Sequence, residues 1–310
     1  MNTRVVSFSL ALSLLGGSCW LLWSGENSEK KTSSVPLENK PHAALPSIKQ
    51  KIPPEIRRIV DSGLHEEERI AAVRDLPGDL DSRSLALLFE YLENPKGQNI
   101  ESWYLVCNEI MEIFRKRNMA PDLYSQHLGA LIASQKADAV IRDYACQHLA
   151  LWISGTQPQV TVPEKAQISA SFETLLSEAA NQENANLTLP GTVMNALTDA
   201  VLSGSKSTEN QRAALSQSAM KILVNPNFSN INRATAIQAA ARLRAPGLRE
   251  HCLAYAQSSE LSPDLRLSSI AAIGLIGSSE DAAFLQSFKS DPTFQYAASA
   301  ALQSLNRTNP

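Results

Sequence analysis

The sequence is poor in aromatic side chains, histidine and cysteine, and it has no excess of positive charge. Aromatic residues make up 6% of its 310 residues while hydrophobic residues as a whole make up 44%, so Ala, Leu and the other aliphatics supply the apolar volume. Ala leads the helix-propensity scale and Leu follows closely, which favours closely packed helices over a sheet. The formal net charge of -3 leaves no basic footprint for nucleic acid. The one cationic run, Arg115-Lys116-Arg117, falls where a helix closes. Cations there offset the negative end of the helix dipole.

Chemistry-bearing constellations are equally scarce. Four cysteines occur, Cys19, Cys107, Cys146 and Cys252, with no C-x-x-C spacing. Setting Cys19 aside as part of a leader leaves an odd number, which excludes a disulfide framework and a zinc site. His65-Glu66-Glu67-Glu68-Arg69 lacks the second histidine of a metalloprotease helix. His127 and His148 fall on two paired helices without a third ligand in reach, and so read as ordinary helix-surface histidines. No G-x-G-x-x-G, Walker loop or G-x-S-x-G elbow is present. The expectation is a non-enzymatic protein with no metal and no cofactor.

The N-terminus has a character of its own. Val5 to Trp23 are uncharged and mostly apolar, with Arg4 before them and Glu26, Glu29, Lys30 and Lys31 after. As a helix this run rises about 28 Å, close to the thickness of a bilayer's hydrocarbon core. Three fates fit residues 1–24. Gly16 and Ser18 suit a cleaved secretory signal, and Trp20 and Trp23 suit an uncleaved anchor, because indoles favour the membrane interface. Leu15-Gly16-Gly17-Ser18-Cys19 loosely resembles a bacterial lipobox, which makes Cys19 a possible lipidation site. All three fates export the remainder of the chain, to a membrane-anchored, periplasmic or cell-envelope address, and membrane contact is confined to this segment. Residues 25–52 carry Pro36, Pro41 and Pro46 among Ser, Lys, Glu and Asn with no apolar period, and read as a flexible spacer.

From residue 53 to 306 the chain repeats itself. Arg69-Ile70-Ala71-Ala72-Val73-Arg74-Asp75-Leu76 aligns without gaps on segments opening at Arg142, Arg233, Arg266 and Gln295. The shared form is a polar first position, a small fourth, an aliphatic fifth and an apolar eighth. Those positions share one face of a 3.6-residue helix. With Trp103 opening a further copy, Cys107 and Cys146 both take the fifth position. Equivalent positions on packed helices stand about 8–10 Å apart, beyond the about 7 Å that a disulfide tolerates, so both are expected as buried free thiols. The spacing predicts seven helix pairs, 54–62 with 65–76, 80–94 with 100–118, 121–134 with 137–153, 163–181 with 190–203, 208–224 with 230–244, 246–258 with 263–277, and 279–289 with 293–306. Pro53, Pro121, Pro163 and Pro263 mark helix starts. Gly63, Gly155, Gly204 and Gly277 mark ends, where left-handed caps are expected.

Leu265 to Leu305, LRLSSIAAIGLIGSSEDAAFLQSFKSDPTFQYAASAALQSL, resembles a HEAT-like repeat of the short bacterial type, through the Arg266 opening, Ala271-Ala272, the Gly274 to Gly277 run and the helix from Asp281 to Leu285. The likeness extends over 230–306 and more loosely over 65–153. It departs at 156–228, which has a long loop at Gln157 to Val162 and an Asn-rich turn at Asn181 to Leu187. The resemblance implies an all-α fold, a right-handed α-solenoid of about seven stacked helix pairs with the second helices on the concave side, and a scaffold or binding role.

The expected function is therefore an exported scaffold or adaptor that binds a protein or peptide along the stack. Alternatives are a ligand-binding or catalytic site in the irregular region 155–190, and a structural envelope protein. The candidate partner-binding residues are Arg74, Trp103, Arg142, Tyr144, Arg233, Arg242 and Arg266, since arginine and aromatic residues are favoured interface anchors. The competing reading of the first-position arginines is that they satisfy carboxylates or helix ends between repeats.

Overall fold

The computed structural model of the chain describes residues 52–95, 97–155, 162–203 and 208–308. The leader with Cys19, the spacer up to residue 51, and Gly204 lie outside the described residues. Fourteen α-helices and no strand occur among the described residues. They form seven consecutive pairs: α1 (Pro54–Val60) with α2 (Glu66–Arg74), α3 (Ser82–Glu93) with α4 (Ile100–Arg117), and α5 (Pro121–Ala133) with α6 (Ala139–Ser154). The fourth and fifth pairs are α7 (Val162–Ala180) with α8 (Leu189–Ser203) and α9 (Glu209–Val224) with α10 (Asn230–Leu243). α11 (Leu248–Gln257) with α12 (Pro263–Ile276) and α13 (Ala282–Gln286) with α14 (Gln295–Thr308) complete the set. α13 is shorter than the expected 279–289, because Ser279–Asp281 winds as a 3₁₀ turn ahead of it.

Local chemistry sets the boundaries. Proline occupies the first turn of α1, α5 and α12, where its missing N–H has no intrahelical partner to lose. The α3 and α4 starts are capped by Asp81 and Asn99, which accept from the Ser84 and Ser102 amides at 2.7 and 3.0 Å. α9 opens with a reciprocal capping box between Thr208 and Gln211. The helix ends depart from expectation. Gly155 and Gly277 have negative φ, and the left-handed caps are Asn118 (φ 49°) and Arg244 (φ 55°). Gly277 is there for room: a Cβ would stand 2.5 Å from the Ile273 carbonyl oxygen and 2.6 Å from Asp281 Oδ2.

The two members of every pair pack together, and each second helix packs against the next, from α2 through α4, α6, α8, α10 and α12 to α14. α7 lies against both α5 and α9, and α8 against both α6 and α10, so 162–228 keeps the neighbour pattern of the rest. Burial follows the repeat. Arg69, Ala72, Val73 and Leu76 are buried, as are Trp103, Val106, Cys107 and Ile110, Arg142, Ala145, Cys146 and Leu149, and Arg233, Ala236, Ile237 and Ala240. In α8 the same four positions fall to Pro190, Val193, Met194 and Leu197, which leaves no arginine there. At the last copy Phe294, just ahead of α14, is buried together with Ala298, Ala301 and Leu305 within it, so the copy opens at Phe294, one residue before the expected Gln295. α12 and α14 approach closely enough that a Cβ on Gly274 would stand 2.5 Å from the Ala301 Cα.

Candidate functional surface

The first-position arginines share one geometry. Nε of Arg69 donates to the Ile59 carbonyl at 2.9 Å, Arg142 to Ile132 at 2.9 Å, Arg233 to Leu223 at 2.9 Å and Arg266 to Ala256 at 3.1 Å. Each acceptor lies ten residues earlier, in the last turn of the first helix of the same pair, where carbonyls have no intrahelical donor. The outer end of each guanidinium reaches the following pair. Arg69 lies 5.3 Å from the Tyr91 ring centroid, Arg233 5.6 Å from that of Tyr255 and Arg266 4.2 Å from that of Phe294. Arg69 also donates to the Tyr91 hydroxyl and to Gln98 Oε1, the latter at 2.6 Å. Arg142 donates to Asn184 Oδ1 at 3.0 Å and stands 3.7 Å from a Glu178 carboxylate oxygen. Trp103 does the same work with an indole: its Nε1 donates to the Tyr91 carbonyl at 2.9 Å, in the last turn of α3.

These contacts correct the expected partner surface. Trp103, Arg142 and Arg233 are buried, and Arg266 is half-buried over the Phe294 ring. The arginines clasp one helix pair to the next, and Trp103 ties α4 to α3 within its own pair. Arg74 and Arg242 remain on the surface, and Tyr144 is half-buried at its edge. Arg74 pairs with Glu109 at 2.8 Å and Arg242 with Asp199 at 2.6 Å, each across to the adjacent second helix.

Two buried asparagines, which no sequence signal singles out, replace the clasp around the fourth pair. Asn184 accepts from Arg142 and from Gln135 Nε2 (3.2 Å) and donates to the Glu178 carbonyl at 2.9 Å. Asn232 donates to the Ala185 and Leu187 carbonyls at 3.0 and 2.8 Å and accepts from the Gly191 amide at 3.1 Å. Asn232 thus serves main-chain groups of the Asn-rich turn, and Asn184 joins Arg142 and Gln135 to the last turn of α7. Asp143 lies beside them, its Oδ2 accepting from the Thr188 hydroxyl at 2.5 Å, and burial pushes its carboxyl above the ordinary aspartate range.

His127 and His148 are not brought together. His127 stacks on Phe89 with ring centroids 4.3 Å apart, and its Nε2 lies 3.4 Å from Glu93. His148 Nε2 lies 3.0 Å from Asn108 Oδ1, and its Nδ1 lies 3.6 Å from Glu112. Burial lowers both, His148 to about 4, so both rings are neutral at pH 7. Burial raises Glu112, but hydrogen bonds from Lys116 and Arg115 outweigh it and hold the carboxyl below the usual glutamate range. Cys107, Cys146 and Cys252 are buried free thiols, and burial raises all three, Cys252 to about 12. Such thiols behave as small hydrophobes.

The second helices also carry an exposed face. Counted from the clasp as position one, positions six and ten are the most exposed on α6, α8, α10 and α12, and side chains at positions six, seven and ten meet between neighbouring helices. Arg74 at six meets Glu109 at seven, Asn108 at six meets His148 at seven, and Asp199 and Arg242 meet at ten. Gln147, Leu151, Asn195, Leu202, Gln238 and Leu275 are exposed on this face. No family model matches the chain, and a search of curated proteins finds no similar sequence.

Proposed function

We propose that the chain is an exported, non-enzymatic scaffold of HEAT-like repeats, a right-handed α-solenoid that binds a protein or peptide along the exposed face of its second helices. The recurring arginine clasp carries this reading. A bond from position one to a carbonyl ten residues earlier closes each pair, and the outer end of the same guanidinium reaches the next pair, as a stack of equivalent units needs. The second helices pack closely at every step, while the first helices do so at α1–α3, α5–α7 and α7–α9. That asymmetry favours curvature with the second helices on the inside. Export, by a cleaved, retained or Cys19-lipidated leader, is inferred from the apolar segment at 1–24.

Photo-crosslinking in living cells tests the reading. Probes at Arg74, Gln147 and Arg242 on the second helices are expected to capture a discrete protein, and a probe at Glu173 on α7 is not. Absence of any discrete product from the second-helix probes, with the protein present and folded, would sink it.

A further inference from the structure

One joint of the stack is built unlike the others. Arg69, Arg142, Arg233 and Arg266 each reach the following pair, and Asn232 bridges the fourth pair to the fifth. Between the second and third pairs, position one is Trp103, whose N–H serves the Tyr91 carbonyl of its own pair. α3 and α5 also lack the close packing that joins α1 to α3 and α5 to α7. The bonds that do cross run from the Tyr104 hydroxyl to Asp138 Oδ2 (2.9 Å), from the Tyr124 hydroxyl to the Met111 carbonyl (3.1 Å) and from Trp152 Nε1 to Asn118 Oδ1 (3.2 Å).

The same joint holds His127 and His148, one on each side. His127 of α5 stacks on Phe89 of α3, and its Nε2, 3.4 Å from a Glu93 carboxylate oxygen, has no hydrogen-bond partner. His148 of α6 meets Asn108 of α4 through Nε2, and its Nδ1, 3.6 Å from Glu112, has none either. Their side chains are 18% and 7% exposed. Each ring therefore has room for a proton on a nitrogen that faces a carboxylate. Neither carboxylate is placed to compensate it. Glu112 already holds Arg115 at 2.6 Å and Lys116 at 2.7 Å, and Glu93 is 55% exposed, so water screens it. Glu93 is the charge that faces His127, and Glu112, Arg115 and Lys116 are those that face His148. α4, α6 and α7 add none at His127, nor α5, α7 and α8 at His148, among the described residues. A buried charge without a full partner is costly, and moving the ring into water removes the cost.

We infer that the joint between the second and third pairs is an acid-sensitive hinge: protonation of His127 and His148 parts α3 and α4 from α5 and α6 while the clasped joints stay closed. The sign follows from burial, which lowers both rings, His148 to about 4. An open joint returns His148 to about 6.5, so the proton favours the open form. Between pH 7 and pH 4.5 that ring alone raises the ratio of open to closed joint by about 60-fold, and His127 adds in the same direction. Opening changes the curvature of any surface that spans the second and third pairs, and this holds whatever the stack binds.

The chain carries its own reporters. Cys107 is buried on α4, near enough to Tyr144 of α6 to raise that hydroxyl further, whereas Cys252 is buried on α11, beyond two clasped joints. The full chain is treated with 4,4′-dithiodipyridine, which reacts with thiols in acid, at pH 7 and at pH 4.5, native and urea-unfolded, and each site is read by peptide mass spectrometry. Protection of Cys107 relative to the unfolded chain is expected to fall at least tenfold at pH 4.5, with that of Cys252 unchanged. His148→Gln should reduce the fall, and His148→Gln with His127→Phe, which keeps a ring on Phe89, should abolish it. Should the double variant fail to fold by circular dichroism at pH 7, His148→Gln alone decides. Equal protection of Cys107 at both pH values overturns the hinge, as does an undiminished fall in His148→Gln. A parallel fall at Cys252 overturns it too, since the whole chain would then be unfolding.

Discussion

Replacing Arg142 by Met separates the two readings of the first-position arginines, because it removes a guanidinium while leaving an unbranched apolar side chain in the same slot. The guanidinium serves the Ile132 carbonyl (2.9 Å), Asn184 Oδ1 (3.0 Å) and Gln135 Oε1 (3.3 Å), and it lies 3.7 Å from Glu178. Arg142 and Glu178 side chains are 3% and 14% exposed, so little water is available to take over. Each buried acceptor left without a donor costs about 1–3 kcal/mol, and removing one partner of a buried ion pair costs about 3–5 kcal/mol. These costs overlap on the same atoms, so the expected loss is about 3–5 kcal/mol in total. Arg242→Met is the control. Its pair with Asp199 is 39% and 66% exposed, and an exposed pair contributes about 0–1 kcal/mol before solvent screening reduces it further. Urea unfolding at pH 7, followed by circular dichroism at 222 nm, should show a large fall in midpoint for Arg142→Met and almost none for Arg242→Met. Equal midpoints for the two variants would refute the clasp and return Arg142 to the surface.

Acid should destabilise the fold through His148, whose folded value of about 4 lies below the ordinary histidine value. Between about 6.5 and about 4 the unfolded chain binds the extra proton, so stability falls as pH drops through that window, by up to about 3 kcal/mol. Glu112, held low when folded, adds to the loss only below the ordinary glutamate range; Arg115 and Lys116, which also face His148, stay charged throughout. Urea midpoints from pH 7 to pH 4.5 should fall more steeply for the parent than for His148→Gln, and parallel slopes would contradict the buried neutral ring. Gly274→Ala should cost about 1–3 kcal/mol by overpacking, and Ala301→Gly should not rescue it, because the nearest atom is the Ala301 Cα at 2.5 Å. Thermal melting of the single and double variants decides this, and full recovery in the double variant would show that the helices can part. Cys107, Cys146 and Cys252 should resist iodoacetamide in the native protein and react after unfolding, read by peptide mass spectrometry; rapid native labelling would mean the seam opens.

The helices were legible in the sequence because two independent signals agreed. Proline at the first turn fixed the starts of α1, α5 and α12, and the 1-4-5-8 apolar period fixed the buried face. The phase of α14 was not legible: Ala297-Ala298-Ser299-Ala300-Ala301 is nearly uniform in size and polarity, so a shift of one residue changes little. Phe294, whose ring lies under Arg266, holds the information and stood just outside the aligned window. Left-handed caps fell to Asn118 and Arg244, although glycine adopts that conformation at the least cost. Asn184 and Asn232 were not legible as structural residues, since a buried carboxamide and an exposed one look alike until the carbonyls they serve are placed.

The arginines show why residue type alone misplaces a binding surface. Arg142 and Arg233 have the chemistry of interface anchors, yet their position decides their role. A guanidinium one turn inside a second helix faces the closing carbonyls of the first helix, and its planar fork can serve that carbonyl and the next pair at once. Trp103 in the same slot supports this: indole shares with arginine only a directed N–H at the end of a flat apolar body, and it reaches the same kind of carbonyl. A residue repeated at the joint between units is constrained by the joint, whatever else its type can do. The joint leaves other positions free to vary, and on the second helices those are six and ten, where side-chain amides, leucines and the Asp199–Arg242 pair stand open to solvent.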